Sequence, residues 1–302
     1  MNYIKKIVSF GPPFIILAAL LWSFDGVLRR SLYSLPPAVI VFYEHLLGAI
    51  ILLPIFLKLI SEVRKMGKKE WSSIILVSLF SGALGTIFYT AALGMVNYIQ
   101  FSVVVLLQQL QPLWAILAAH IILKEKISKD FARWAGLGII AAYFITFRDL
   151  RMNLTSGNGT LIAGILALSA GAMWAISTSF SKVVLSKVSY WTATSLRFMI
   201  APVFALLFVF GQGQQKFLTQ IAPSQWLTLL TITFSTGMVA LIIYYFGLRK
   251  TPARVSTICE LTWPASAIFI DYLMFKQTLS VTQIIGVAML LISIKNVTRY
   301  QK

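Results

Sequence analysis

From Phe14 to Val297, stretches of about 20 mostly apolar residues follow one another almost without a break. A helix of that length reaches across the roughly 30 Å of hydrocarbon in a bilayer. The 302 residues are 58% hydrophobic and only 12% charged, more apolar surface than one soluble core of this length can hide. Lipid is therefore the solvent this sequence is written for. Backbone groups in lipid must be satisfied within the element, and the alternation that marks barrel strands is missing. The expected fold is all-α and polytopic, with spans at about 12–33, 38–57, 71–93, 99–122, 130–147, 160–182, 190–210, 225–247, 253–275 and 280–297.

A net charge of +17 would suggest nucleic acid in a soluble protein. Here the Lys and Arg residues sit in short loops between spans, so they read as topology signals and no nucleic-acid partner is expected. With the N-terminus cytoplasmic, 19 of them fall inside, 6 fall outside and Arg197 lies within a span. Both termini are then cytoplasmic, which requires an even number of spans. The lone Cys259 excludes an intrachain disulfide and a cysteine-based metal site. Lys5 and Lys6 before an apolar run resemble a signal peptide, but no small-x-small cleavage site follows, and the first span is expected to stay in the fold.

An offset of 152 residues brings the two halves, 1–150 and 151–302, into register. It pairs Trp22 with Trp174, His45 with Arg197, Pro112 with Pro264, Ala115 with Ala267, Lys124 with Lys276 and Ser128 with Ser280. The register slips by about three residues in the third and eighth spans, where Tyr89 answers Tyr244. Five spans per half is an odd number, so the second copy must enter the membrane from the opposite side. Charge agrees: the loop after span 4 is rich in Lys and Arg while its counterpart holds only Lys276. The loop after span 3 has none while its counterpart holds Arg249, Lys250 and Arg254. Inverted repeats of this kind are a transporter signature, because two packings of each half open one central site to either side.

The ten-span duplication, the segment from Gln108 through Pro112 to Lys124, Glu125 and Ser128, and the segment from Thr251-Pro252-Ala253 through Pro264 to Ser280 resemble the EamA-type branch of the drug/metabolite transporter superfamily. Each half in that family usually has Glu-Pro in its fourth helix and Gly-Glu after it. This chain has Gln111-Pro112, Trp263-Pro264, Lys124-Glu125 and Lys276-Gln277. The resemblance implies a metabolite exporter or permease of the inner or plasma membrane with a cavity between the halves.

Polar groups inside a bilayer are costly and mark function or pairing. Gln108 and Glu260 are related by the repeat and sit near the midplane, with Gln111 and Trp263 three residues onward on the same helical faces. Together they offer amide, carboxylate and indole groups to a small solute, although the glutamines would equally serve as interhelical hydrogen-bonders. Trp22, Asp25 and Arg29 share one face of the first span, opposite Trp174, Ser177 and Ser181 in the other half. Asp25 and Arg29 form either an intrahelical ion pair with Arg29 snorkelling outward or a receptor for an amine or a coupling proton. Glu44, His45 and Glu260 join Asp25 as candidate proton carriers, with capping or interhelical bonding the other reading for Glu44 and His45. Tyr89 and Tyr244 are candidate wall residues.

The expected function is a secondary transporter that exports small polar or amphipathic metabolites, amino acids foremost, by alternating access around a midplane site. Organic-cation efflux is the alternative, because the same acids and tryptophans would suffice. An intramembrane enzyme is disfavoured: His45 and His120 alone cannot build a zinc site, and there is neither an Asp-rich loop for magnesium nor a phosphate-binding Gly-Lys loop. A receptor would not need inverted duplication. No cofactor and no metal are expected; the partners are the solute, the bilayer and a coupling proton, in a monomer or homodimer.

Overall fold

The computed structural model describes residues 10–95, 110–146, 148–150, 158–266, 270 and 280–300. Ten principal helices run through the described residues. The first half holds α1 (Pro12–Arg29), α2 (Pro37–Lys58), α3 (Lys68–Gly94), α4 (Gln111–Leu123) and α5 (Lys129–Thr146). The second holds α6 (Asn158–Leu185), α7 (Tyr190–Gly211), α8 (Pro223–Arg249), α9 (Ala253–Glu260) and α10 (Val281–Val297). The ten spans expected from hydropathy coincide with them, except that Gln108 and the first part of the fourth span, and much of the ninth beyond 266 with Asp271 and Lys276, lie outside the described residues.

Large apolar side chains face outward, with Leu207 62% and Leu227 68% exposed, as lipid-facing helices require. The interior is built from small residues, because helices in lipid associate by close packing rather than by hiding oil from water. At Gly48 of α2 an added Cβ would come within 2.2 Å of the Phe198 ring of α7.

The duplication is visible in element lengths. α2 and α7 both have 22 residues, and α3 and α8 both have 27. α3 and α8 each contain a π-helical segment, Ser78–Leu84 and Thr233–Gly237, beginning at positions related by the slipped register of 155 that also links Tyr89 to Tyr244. That slip has no visible cause in the sequence. The packing repeats as well: α3 lies on α6 as α8 lies on α1, α4 on α6 as α9 on α1, and the pairs α2–α7, α4–α9 and α5–α10 each join a helix to its own counterpart.

Local chemistry sets the helix ends. Ser128 Oγ accepts from the Phe131 amide at 3.1 Å and Ser280 Oγ from the Gln283 amide at 3.4 Å, so the Ser128/Ser280 match is a conserved-in-repeat N-cap on α5 and α10. Pro112 and Pro264 lack the amide that would continue the ladder; Leu110, just before α4, and Leu261, just after α9, are turns. Glu125 Oε1 and Oε2 accept from the Ala253 and Arg254 amides at 2.8 and 3.1 Å, and Oε2 also pairs with the Arg254 guanidinium at 3.2 Å. It therefore caps α9 from the α4–α5 loop. Glu62 does the same for α7, accepting from the Ser189 amide at 2.6 Å and the Thr192 hydroxyl at 2.7 Å. Partial burial raises its pKa, but these hydrogen bonds together outweigh that and hold the carboxyl below its ordinary value.

Lys124, where the related family usually has Gly, stands at φ +59°, a left-handed conformation that closes α4. A side chain in that region costs about 1–2 kcal/mol, part of which a glycine regains and part of which it loses to unfolded-state entropy. Lys124→Gly should therefore stabilise the protein by about 0.5–1 kcal/mol. A thermal unfolding scan in detergent checks this, and a lowered midpoint would contradict it.

Candidate functional site

Side chains from both halves close around one cavity. Its lining includes Trp22, Asp25, Tyr89, Gln111, Trp174, Tyr244, Glu260 and Trp263 from the sequence reading, with Glu44 and His45. Its volume is about 180 Å³. That is smaller than the roughly 300–1,000 Å³ typical of small-molecule sites. Gln108 lies outside the described residues. Ser177 is not in the lining: it is buried, its Oγ has no hydrogen-bond partner among the described residues, and neighbouring Thr178 lines the cavity instead. Arg197, a candidate partner for a solute carboxylate in the sequence, also lines the cavity, as do Thr86, Thr236 and Thr257, which the sequence did not single out.

Two aromatic pairs line the cavity. Trp22 of α1 packs on Tyr244 of α8 with ring centroids 5.1 Å apart, and Trp174 of α6 packs on Tyr89 of α3 at 5.3 Å. These are one pair and its repeat image. The rings of each pair are tilted by 53° and 60°, and both tyrosines are buried.

Glu260 closes α9 and is held by neutral donors. Its carboxyl accepts from the Tyr244 hydroxyl at 2.8 Å, the Ser256 hydroxyl at 2.9 Å and the Gln111 amide at 3.1 Å. The Gln111 contact crosses from α4 to α9 and joins the two halves.

A second polar cluster lies beside it. Arg29 is paired through Nε with Asp25 on its own helix and through a terminal nitrogen with Glu44 of α2 at 2.7 Å. Asp25 also accepts from the Thr236 hydroxyl of α8 at 2.7 Å, and Arg29 donates to Thr90 of α3 at 3.4 Å. The intrahelical pair anticipated from spacing is present, but the outward snorkel is not: the Arg29 side chain is only 3% exposed. A second carboxylate accounts for this, since pairing with both acids outweighs the gain from reaching water. His45 stacks on Phe198 at 4.9 Å, and its Nδ1 sits 3.0 Å from the Val41 carbonyl oxygen.

The helix limits also correct one repeat pairing. α2 and α7 match at an offset of 153, which sets Glu44, not His45, opposite Arg197. The π-segment glycines agree: a Cβ on Gly237 would meet Glu44 at 3.1 Å, and one on its counterpart Gly82 would lie 3.7 Å from Arg197 Nε. His120 is exposed near a loop, and no cluster of metal-binding side chains occurs among the described residues.

The profile of the EamA-like transporter family matches residues 9–147 and again residues 161–298. The chain belongs to the EamA-like transporter family. It is a multi-pass membrane transporter and not an enzyme. The riboflavin transporter ImpX of Fusobacterium nucleatum is 35% identical over 301 residues, 99% of both chains. The uncharacterized transporter YoaV of Bacillus subtilis is 22% identical, covering 90% of this chain and 91% of its own. A solved crystal structure superposes with a TM-score of 0.71 at 14% identity, over 96% of this chain and 97% of the other, and supports the fold alone. Two tandem family domains account for the repeat.

Replacing Arg29 with Gln leaves Asp25 and Glu44 buried without their cation. Losing one partner of a buried ion cluster costs about 3–5 kcal/mol. Arg29→Gln should lower the unfolding midpoint far more than Glu44→Gln, read by intrinsic fluorescence of the purified protein; equal losses would contradict the bridging role.

Proposed function

We propose that this transporter carries riboflavin, or a similarly planar heteroaromatic solute with a polar side chain, across the cell membrane by alternating access, with both termini cytoplasmic. The observation that supports it best is the pair of aromatic couples, Trp22–Tyr244 and Tyr89–Trp174, contributed by the two repeats to one cavity that also presents the Gln111 amide and the Glu260 carboxyl. Ring faces suit a tricyclic heteroaromatic, and Gln111 and Glu260 suit the imide and carbonyl edges such a ring presents. The full-length likeness to a riboflavin transporter points the same way. Trp263 lines the same cavity and supplies a further indole.

The amino-acid and organic-cation readings need a carboxylate open to an amine. Asp25 and Glu44 are both paired with Arg29, which leaves only Glu260 to meet an amine and weakens those readings. Among the four candidate proton carriers, Glu260 is the one that hydrogen-bonds only neutral donors, while Asp25 and Glu44 are fixed by a cation and His45 by its carbonyl contact and ring stack. We therefore assign the coupling proton to Glu260. The halves 1–150 and 151–302 would rock about the α4–α9 contact, exposing the cavity to each side in turn.

Riboflavin uptake into proteoliposomes, followed by its fluorescence, tests the reading. Trp22→Ala and Trp174→Ala should each raise KM about tenfold, as expected for the loss of one stacking face. Glu260→Gln should abolish the stimulation of uptake by an imposed pH gradient. Uptake of amino acids but not riboflavin would contradict the proposal.

A further inference from the structure

The inverted repeat relates two polar clusters that have diverged in charge. On one side stand Asp25, Arg29 and Glu44, with Thr236 and Thr90 completing the hydrogen bonds. Their repeat counterparts are Ser177, Ser181 and Arg197, with Ser81 in place of Thr236 and Tyr245 in place of Thr90. The counterparts are in matching contact: Ser181 Oγ and the Tyr245 hydroxyl are 3.0 Å apart, and Arg197 donates to the Ser81 carbonyl at 3.1 Å and to the Tyr245 hydroxyl at 3.4 Å. Geometry is kept and charge is not.

In the first cluster the carboxylate of Glu44 meets a cation. In the second, the position that faces Arg197 carries serine. Arg197 reaches only neutral acceptors, its Nε is buried with no hydrogen-bond partner, and no carboxylate lies within salt-bridge reach of it among the described residues. Of the cavity's own acids, Asp25 and Glu44 are paired with Arg29, and Glu260 hydrogen-bonds Tyr244, Ser256 and Gln111. The hydroxyl of Ser177, at the place of Asp25, is likewise buried without a partner among the described residues. A guanidinium in a membrane interior needs a counter-charge, and Arg197 lines the cavity.

We propose that Arg197 is an anion-receiving subsite of the transport cavity. The group it takes is a small anion able to accept two or more hydrogen bonds, a phosphate or carboxylate carried on the solute or a free inorganic anion that enters with a neutral solute. The proposal deepens the flavin reading and relies on it only for the scaffold of the solute.

The test uses the purified full chain in proteoliposomes in a low-salt zwitterionic buffer balanced with sucrose, with no added carboxylate, phosphate or halide. Uptake of riboflavin is compared with that of riboflavin 5′-phosphate and of a 10-carboxymethyl flavin. In parallel, tryptophan fluorescence is titrated with inorganic phosphate and with chloride. A solute-borne anion predicts that the anionic flavins enter at least as fast as riboflavin below saturation, and that Arg197→Gln lowers the ratio of anionic to neutral uptake at least tenfold while Arg197→Lys largely retains it. A free anion predicts instead that phosphate or chloride accelerates riboflavin uptake and binds saturably, with affinity reduced at least tenfold in Arg197→Gln. Should Arg197→Gln fail to fold, the wild-type comparison and Arg197→Lys still decide. Riboflavin uptake with no response to anionic flavins, phosphate or chloride would overturn the subsite and leave the flavin reading standing. Saturable anion binding without uptake of any flavin would do the reverse, and neither response would overturn both.

Discussion

Arg29, buried in the helix bundle beside the cavity, bridges two carboxylates on different helices. Neither Asp25 nor Glu44 is tolerable there without a cation, and one guanidinium serves both because its fork presents Nε and a terminal nitrogen in two directions. The bridge ties α1 to α2, and the hydroxyls of Thr236 and Thr90 extend it to α8 and α3. Four helices are thereby held in one register. That register brings Trp22 onto Tyr244 and sets Glu44 beside Gly237, where any larger residue would crowd the carboxylate. One wall of the cavity follows from this cluster.

The other wall shows what duplication permits. Its backbone plan is the same, down to a π segment of α3 that answers the one in α8, yet the charged triad has become two serines and an arginine. A perfectly symmetric cavity would bind a solute equally in two flipped poses. The two walls diverge at Asp25/Ser177, Arg29/Ser181, Glu44/Arg197 and Gln111/Trp263, while the aromatic pairs are shared. The π segments sit at the level of these clusters, and their glycines allow α3 and α8 to approach the polar groups of α7 and α2.

Much of this was legible in the sequence. Ten spans followed from apolar run lengths and the parity of the charge bias, and the repeat followed from Trp22/Trp174, Ser128/Ser280 and the two X-Pro positions, whose reasons are caps and helix breaks. The Tyr89/Tyr244 slip was read correctly because aromatic residues are rare enough to anchor an alignment. The one-residue shift in α2 and α7 was not, since Glu44 and His45 are neighbours and only helix limits distinguish them. The role of Glu44 was hidden for a different reason: a bridge between α1 and α2 depends on side-chain reach across helices, which spacing along one helix does not encode. Ser177 was proposed from its face, and burial beside Thr178 removed it from the lining. An amino-acid substrate rested mainly on the family resemblance, with Glu260 or Asp25 to meet the amine, and of these Asp25 is paired with Arg29.

Both halves build one cavity, and the proposed transport cycle opens it to each side in turn. Thr86 of α3 and Thr257 of α9 line it from different halves. With the buried Cys259 changed to serine, Thr86→Cys and Thr257→Cys would each be probed with a membrane-impermeant thiol reagent applied from one side and then from the other. Alternating access predicts labelling of both positions from both sides, and protection of both by riboflavin. Labelling from one side only, unaffected by solute, would contradict it.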